Sequence, residues 1–243
     1  MALLPWQTAV ITKIVDVTSN TKRFCFEITD GSIFDFVPGQ FVTLDLPIHE
    51  RASKRLRSYS IASPPAKTNC FELVIVLLEG GAGTSYLFSE GHVGLEVTFR
   101  GPLGTFTLPE QITRDICMVC TGTGIAPFHS QVMHLHRTGW PDADIHLVFG
   151  TRTEADILYH RELLELAEQQ PRFHFHIALS RVKKEAWPGH IGYVHDIYEN
   201  ICEKGQRDMH FYLCGWKNMV DEARNRLADM GYDKDHIHLE LYG

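Results

Sequence analysis

Residues that could bind a flat heterocycle and a phosphate lie close together in the segment Arg57-Ser58-Tyr59-Ser60. Side chains two positions apart on a strand share a face, so the tyrosine ring can stack while the arginine fork meets a phosphate. Ser60 adds a hydroxyl that can donate or accept a hydrogen bond. The segment predicts a nucleotide-like ligand, and an ordinary strand with a partly buried tyrosine is the alternative interpretation.

A run of glycines further along the chain, residues 80–85, has the composition of an anion-binding loop. Glycine lets backbone N–H groups approach a phosphate, and Thr84 can open a helix whose N-terminus favours negative charge. A flexible glycine turn is the alternative interpretation. The candidate phosphate-binding residues are Gly81, Gly83, Thr84 and Ser85.

The segment Thr121-Gly122-Thr123-Gly124, here called the glycine loop, follows an apolar strand-like run and precedes a helical one. In this strand–loop–helix context, glycines permit close approach of a pyrophosphate. Pro127 suits the first turn of a helix, although it departs from the G-x-G-x-x-G pattern at its last position. The glycine loop therefore predicts a dinucleotide site.

Cys214 and Gly215 follow a later apolar run, and Met219 comes shortly after them. In open parallel sheets, ligands bind outside the carboxyl ends of the strands. Cys214 is therefore a candidate at that edge, and a buried inert thiol is the alternative interpretation.

The elements that must position these residues change character near residue 108. Before it, short runs rich in valine, isoleucine, threonine and phenylalanine, bounded by turn residues, predict an antiparallel β-barrel with one short helix after Thr84. These predicted strands are residues 9–17, 21–28, 40–46, 70–77 and 95–100.

After residue 108, strand-like and helical runs alternate, which predicts a five-stranded parallel doubly wound α/β domain. The predicted strands are residues 116–120, 145–149, 173–179, 210–214 and 236–241, and the helices are residues 126–136, 160–169, 194–201 and 219–230. We expect two domains, residues 1–108 and 109–243, with a short join that favours a fixed cleft.

Composition excludes several classes of protein. The formal net charge of −7 argues against a non-specific nucleic-acid binder. No apolar run approaches the roughly 18 residues of a membrane span, and no targeting segment is visible. A cytoplasmic protein is therefore expected, with its six cysteines reduced.

No metal centre is predicted. Cys117 and Cys120 have C-x-x-C spacing, but they lie in an apolar strand-like run without a second such pair. His174 and His176 share a face of a predicted strand, and ordinary half-buried strand histidines explain them.

Taken in order, these motifs resemble the ferredoxin–NADP reductase family over nearly the whole chain. The resemblance implies that Tyr59 stacks on the isoalloxazine of FAD, Arg57 binds the FAD pyrophosphate and Ser60 contacts flavin N5. It implies that residues 81–85 hold FAD phosphate and that the glycine loop holds the nicotinamide dinucleotide. The C-G-x-x-x-M element of the family matches Cys214, Gly215 and Met219.

The resemblance extends to the end of the chain. Family members often end in Glu-x-Tyr, and Glu240 and Tyr242 match this pattern, although Gly243 follows. The resemblance implies that Ser60, Cys214 and Glu240 shape the catalytic pocket and that Tyr242 shields the flavin.

The resemblance also bears on the choice of dinucleotide. Ser180 and Arg181 resemble a site for the 2′-phosphate of NADP, which the resemblance implies is flanked by Arg152 and assisted by Tyr193. NADP(H) is therefore favoured over NAD(H), while a solvated basic loop is the alternative interpretation.

The expected partner is a small electron carrier such as ferredoxin or flavodoxin. A basic run, Arg51, Lys54, Arg55 and Arg57, could steer an acidic carrier. Three other functions remain open: a reductase of free flavins, the reductase component of an oxygenase, and a non-catalytic module that senses dinucleotide. Oligomeric state is not predicted.

Overall fold

The computed structural model describes residues 4–242, apart from the side chain of Lys184. The chain forms two compact units. The first runs as far as Thr107 and also includes His129–His134, while the second contains Leu108–Phe128 and the chain from Leu135 onward. Because the two units do not follow from a single cut, the domain boundary after residue 108 stays a prediction.

The first unit is a six-stranded antiparallel sheet in the order β4-β3-β6-β1-β2-β5. A single bridge pairs Ile61, which follows β4, with Leu73 of β5, so the two edges of the sheet meet. This closure confirms the predicted barrel. The strands are β1 (Gln7–Thr18), β2 (Thr21–Ile28), β3 (Phe41–Asp45), β4 (Leu56–Ser60), β5 (Cys70–Val76) and β6 (Glu96–Leu103).

Aromatic side chains fill the interior of this barrel. Phe24, Phe26 and Ile28 are buried at every second position of β2, as expected for a strand with one face in the core. Phe71 of β5 packs between Phe26 and Phe99, with ring centroids 5.1 Å from each. Helix α1 (Ala82–Ser89) adds Leu87 to the same core. This helix begins two residues before the predicted start at Thr84.

The second unit is a six-stranded parallel sheet in the order β10-β9-β8-β7-β11-β12. The five predicted strands are present, and the sixth, β10, has only two residues, too few for a periodic sequence pattern. The strands are β7 (Asp115–Thr121), β8 (Ile145–Thr151), β9 (Phe173–Leu179), β10 (His190–Ile191), β11 (Met209–Trp216) and β12 (Ile237–Tyr242). The helices are α2 (Ile125–Thr138), α3 (His160–Gln169), α4 (His195–Ile201) and α5 (Lys217–Asp229).

Strand β7 lies at the centre of this sheet. Residues 116–120 are all buried, which explains their uninterrupted apolar sequence. The chain passes from β7 to β8 on one side, and β11 lies on the other. This reversal is a topological switch point, where ligands of open α/β sheets bind. Among the described residues, no helix is both long and apolar enough to cross a membrane.

Candidate functional site

Strand β4 holds the first group of predicted residues. Arg57 and Tyr59 are both partly buried and alternate with exposed Leu56 and Ser58, so they share a face. The Tyr59 ring packs against the barrel core. Burial raises the pKa of its phenol to about 12, although the charge of Arg57 acts in the opposite direction. The ring therefore stays neutral, as stacking on a heterocycle requires.

The guanidinium of Arg57 is oriented by the main chain. Its Nη1 atom donates to the carbonyl oxygens of Leu56 at 2.7 Å and Lys54 at 3.1 Å. These bonds occupy one nitrogen of the planar fork, which has five N–H donors in all. The side chain is therefore held in position before any ligand arrives.

The first glycine segment lies directly against Arg57. A β-carbon built on Gly83 would be 2.7 Å from Cγ of Arg57 and 3.2 Å from its Cδ. Only a glycine allows the arginine to cross helix α1 this closely. The structure therefore brings the two predicted FAD phosphate segments together in the first unit. They meet near the N-terminus of α1, which is a position that favours anions.

Thr84 does not open helix α1, although the sequence suggests that it does. The helix cap is Gly81, and the Thr84 hydroxyl lies in the first turn. It donates to the carbonyl oxygen of Gly81 at 3.1 Å and accepts from the N–H of Leu78 at 3.1 Å. The hydroxyl thus ties the glycine segment to the end of β5, and its predicted phosphate contact stays a prediction.

The serines of these segments differ in exposure. Ser60 is 4% exposed at the end of β4. Ser58 is exposed, and its hydroxyl lies 3.0 Å from that of Thr43 on β3. Ser85 is exposed on α1. The flavin contacts predicted for these serines stay predictions.

In the second unit, the glycine loop connects β7 to α2 at the switch point. Gly122 has φ = +53°, and a β-carbon there would meet nothing closer than Nε1 of Trp216 at 3.8 Å. It is partly exposed and leaves room for a ligand beside the N-terminus of α2. Thr123, the next residue, is also partly exposed.

Gly124 is required by packing, and its predicted contact with the dinucleotide stays a prediction. A β-carbon there would lie 2.4 Å from the carbonyl oxygen of Cys214 and 2.8 Å from Cα of Gly215. Gly215 is equally constrained, because its β-carbon would lie 2.6 Å from Oγ1 of Thr121. The glycine loop and the end of β11 therefore interlock, and the two motifs that the sequence separates form one structure.

Cys214 lies beside the carboxyl-terminal residues predicted to act with it. It pairs with Glu240 across β11 and β12, and Trp216 pairs with Tyr242. Cys214, Glu240 and Tyr242 are therefore on one face of the sheet. Burial and the Glu240 charge raise the pKa of the Cys214 thiol, and a hydrogen bond with Tyr242 opposes them. The thiol is therefore protonated at neutral pH, and the predicted role of Cys214 near the nicotinamide stays a prediction. Gly243 lies outside the described residues.

Met219 lies in the first turns of α5. Its side chain is buried in the core beneath α4 and α5, with Val119 and Val148 among its cluster. The structure thus gives Met219 a packing role, and its predicted cofactor contact stays a prediction.

The predicted 2′-phosphate residues gather at the ends of β8 and β9. The N–H of Arg181 donates to the carbonyl oxygen of Arg152 at 2.8 Å, and the N–H of Ser180 donates to that of Thr151 at 3.0 Å. Arg152, Ser180 and Arg181 are all exposed. Tyr193 is 72% exposed. Two arginines and a serine therefore occupy the same edge of the second unit.

A cavity of about 580 Å³ lies next to these arginines. It is lined by Thr153, Glu154, Ala155, His160, Leu179, Val182, Ala186 and Trp187. Neither Trp187 nor His160 was predicted from the sequence. Trp187 lies in an irregular segment without periodicity. Its position next to the basic run after β9 was the available signal. Trp216, 48% exposed beside Gly122, was also missed as a candidate, although it directly follows the Cys-Gly pair.

The two cysteines with C-x-x-C spacing lie within strand β7. Cys117 and Cys120 are buried and unpaired within the described chain, and burial raises the pKa of both. Their separation by three positions on a strand puts them on opposite faces of the sheet. They do not form a C-x-x-C site.

Comparison with known proteins identifies the two units. Residues 8–108 match the family model described as an oxidoreductase FAD-binding domain, and residues 118–225 match that of an oxidoreductase NAD-binding domain. The chain is 35% identical over 227 residues to ferredoxin--NADP reductase B of Sorangium cellulosum, with 91% of each protein covered. The chain belongs to the ferredoxin–NADP reductase family.

This member of the ferredoxin–NADP reductase family also has longer relatives. It is 30% identical over 233 residues to the glycine betaine monooxygenase reductase subunit of Chromohalobacter salexigens. That alignment covers 95% of this chain and 62% of the relative. The chain thus spans about three fifths of that relative's length. A cytochrome P450 reductase from Amycolatopsis has the same fold, with a TM-score of 0.86 and 28% identity over 98% of this chain and 70% of that one.

Membership of the ferredoxin–NADP reductase family confirms the resemblance, the fold class and the general nature of the cofactors. The first region is of an FAD-binding kind and the second of a pyridine-nucleotide-binding kind. The individual binding residues and the preference for NADP(H) stay predictions.

Proposed function

We propose that this chain is a reductase that transfers hydride between a nicotinamide dinucleotide and FAD and exchanges single electrons with a separate carrier protein. The observation that carries the proposal is the interlocking of the glycine loop with the end of β11, which puts Cys214, Glu240 and Tyr242 at the switch point. A sheet edge of this kind is suited to a dinucleotide. FAD, when bound, supplies the redox chemistry, because it accepts a hydride and can release electrons one at a time.

The first unit fits FAD through three features on one surface. The Tyr59 ring offers an apolar, neutral face, and the Arg57 fork lies against Gly83 at the N-terminus of α1. Any β-carbon at residue 83 would fill the space between α1 and the Arg57 side chain. The glycine therefore lets the arginine lie close to the helix N-terminus, as a phosphate-binding surface would require. We assign the flavin ring to Tyr59, the pyrophosphate to Arg57 and α1, and a hydroxyl contact to Ser60.

The second unit fits a dinucleotide at the glycine loop. Gly122 leaves open space beside the N-terminus of α2, where N–H groups and the helix dipole favour a pyrophosphate. We assign the nicotinamide end to the pocket wall formed by Cys214 and Glu240. The protonated thiol adds no charge, so the Glu240 carboxylate sets the electrostatic character of that wall.

We further propose that NADP(H) is preferred to NAD(H). Arg152 and Arg181 are exposed and their backbones are hydrogen-bonded to each other, so their charges lie at one edge. Two guanidinium forks suit the dianionic 2′-phosphate. The reductase relative from Sorangium cellulosum, named for NADP, supports this choice.

The partner we propose is a small electron carrier. Of the basic run that could steer it, Arg55 is paired with Asp45 at 2.7 Å, and Arg57 is directed to main-chain carbonyls. Arg51 and Lys54 are exposed. Because the FAD pyrophosphate assigned to Arg57 would neutralise it, steering by this surface rests on Arg51 and Lys54. Raising the salt concentration from low to physiological should slow carrier reduction if steering operates. A flat salt profile would count against it.

A second candidate is the reductase component of an oxygenase. It is favoured by relatives with such names, including the anthranilate 1,2-dioxygenase electron transfer component of Acinetobacter baylyi, which is 30% identical over 210 residues. Both candidates share the hydride step and differ in the acceptor. Comparing turnover with ferredoxin and flavodoxin against turnover with a purified oxygenase component separates them.

The test of the shared step is an absorbance spectrum of the purified protein before and after anaerobic addition of NADPH or NADH. We expect a yellow protein whose flavin bands bleach, faster with NADPH. A colourless protein that reduces added flavin would indicate a free-flavin reductase. A yellow protein that neither nucleotide bleaches would instead favour a non-catalytic sensor of dinucleotide.

A further inference from the structure

Three potential metal ligands meet at the amino-terminal edge of the parallel sheet in the second unit. One carboxylate oxygen of Asp144 and one ring nitrogen each of His146 and His174 lie within 4.8 Å of one another. His146 and His174 are direct partners across β8 and β9, and Asp144 is two residues before His146 on the same face. We propose that Asp144, His146 and His174 bind a late first-row divalent cation such as Zn²⁺ or Ni²⁺.

The burial of His146 is an independent argument for a ligand. The residue is 7% exposed, and its Nε2 atom has no hydrogen-bond partner among the described residues. A buried polar atom left in this way costs about 1–3 kcal/mol. Its other nitrogen, Nδ1, lies 3.2 Å from Nε2 of His176. Since a second residue that engages one ring nitrogen typically orients a histidine ligand, the arrangement leaves Nε2 to coordinate.

The chemistry of the donors selects the class of metal. Two imidazoles and one carboxylate suit Zn²⁺ and Ni²⁺, whereas Mg²⁺ and Ca²⁺ require mostly oxygen ligands. A water molecule can complete a tetrahedral shell.

Charges around the cluster are compatible with a cation. Arg172 lies 3.6 Å and Arg207 4.0 Å from the Asp144 carboxylate. Arg172 is also paired with Asp142 at 2.5 Å, and Arg207 with Asp115. These three carboxylates and two guanidinium groups together carry a net charge of −1, not counting the histidines. Each arginine therefore has a second acidic partner, and Asp144 can be shared with a metal.

Forming the site requires the His174 ring to turn, because it is stacked on the His146 ring with centroids 4.5 Å apart and 20° between the ring planes. Zinc bonds of about 2.0–2.1 Å in a tetrahedron put ligand atoms about 3.4 Å apart, which is closer than the present limit of 4.8 Å. The His174 side chain is 37% exposed and can turn toward the other two ligands.

The site is separate from the proposed cofactor edge. His146 is opposite Cys117 near the start of β7, whereas the glycine loop follows the other end of that strand. Four or more residues at about 3.3 Å each separate them along the strand direction. The proposal therefore does not depend on the proposed function, and a metal here would clip β8 to β9.

The test is calorimetric titration of the full, flavin-containing protein with Zn²⁺ after dialysis against a chelator, repeated with Ni²⁺. We expect saturable binding of one equivalent and a higher melting temperature. His174→Ala should weaken that binding at least tenfold, and Asp144→Asn should weaken it in the same direction. His238→Ala, which alters another partly buried histidine stacked on a tyrosine, and Cys70→Ser, which removes the exposed thiol, should leave it unchanged.

Absence of saturable binding would overturn the proposal. So would binding that His174→Ala leaves intact, or binding that His238→Ala or Cys70→Ser abolishes, because the metal would then be held elsewhere. Melting curves of the chelator-treated variants verify that each is folded before its affinity is compared.

Discussion

The side chain of Arg57 crosses Gly83 so closely that a single added methyl group would lie 2.7 Å from its Cγ atom. Strand β4 and helix α1 therefore fit together only because residue 83 lacks a side chain. The arginine can in this way lie beside the N-terminus of α1, where an anion is favoured. Two separate segments of sequence thus meet on one surface of the first unit, where we propose that the FAD phosphates bind.

Gly83→Ala should weaken FAD binding by tenfold or more, which corresponds to about 1.4 kcal/mol. The new methyl group displaces Arg57 without removing it. The dissociation constant can be measured by adding FAD to flavin-depleted protein and following fluorescence quenching. Ser89→Ala, an exposed change at the other end of the same helix, is the control and should bind FAD normally. Equal affinity in both variants would show that Arg57 does not need this position.

Gly124→Ala should destabilise the protein more than Gly122→Ala does. At position 124 the methyl group collides with the backbone of Cys214 and Gly215, a case of overpacking that costs about 3 kcal/mol. At position 122 there is space, and the cost is the left-handed conformation, about 1 kcal/mol. Urea unfolding curves of the two variants give the comparison. The reverse order would contradict the interlocking of the glycine loop with β11.

Arg181→Ala should raise the KM for NADPH at least tenfold and change that for NADH less than twofold. The 2′-phosphate is the one group that differs between these nucleotides, and the guanidinium is expected to bind it. Steady-state kinetics with each donor measure the effect. Lys13→Ala, an exposed basic residue of the first unit, serves as the control for loss of charge. Equal losses for NADPH and NADH would remove the assignment.

Acid should destabilise the second unit through His195. This histidine is 6% exposed, with Nδ1 2.9 Å from the Tyr198 hydroxyl and Nε2 3.4 Å from Glu222. Burial lowers its pKa below 6.5, although Glu222 opposes the shift. Below pH 6.5, His195 binds a proton in the unfolded chain more readily than in the folded chain, so the free energy of unfolding falls as the pH is lowered. Well above pH 6.5, where this histidine is neutral in both states, the contribution is constant.

The measurement is urea unfolding between pH 8 and pH 5, in the presence of a chelator. One proton contributes at most about 1.4 kcal/mol per pH unit. His195→Gln cannot titrate, so its stability should fall less steeply below pH 6.5, while the difference between the two proteins stays constant from pH 7.5 to 8. Parallel curves across the whole range would contradict the prediction.

Local sequence patterns are sufficient to predict many of the strands, helices and motifs of this protein. Alternation along β4 puts Arg57 and Tyr59 on one face, and the uninterrupted apolar run 116–120 predicts a strand buried on both faces. The order of strands and helices predicts a barrel followed by a parallel sheet, because such alternation has few packed solutions. The motifs identify the family for the same reason, since each is a short contiguous segment.

Tertiary structure alone decided which distant residues meet. The sequence predicts Gly124 as a glycine that lets a ligand approach, and only the folded chain shows that it also lets the backbone of Cys214 approach. It groups His174 with His176, but pairing of β8 with β9 brings His174 to His146 and Asp144. Strand order and register arise from packing of the whole sheet, so contacts between strands cannot be read from the periodicity of any single segment.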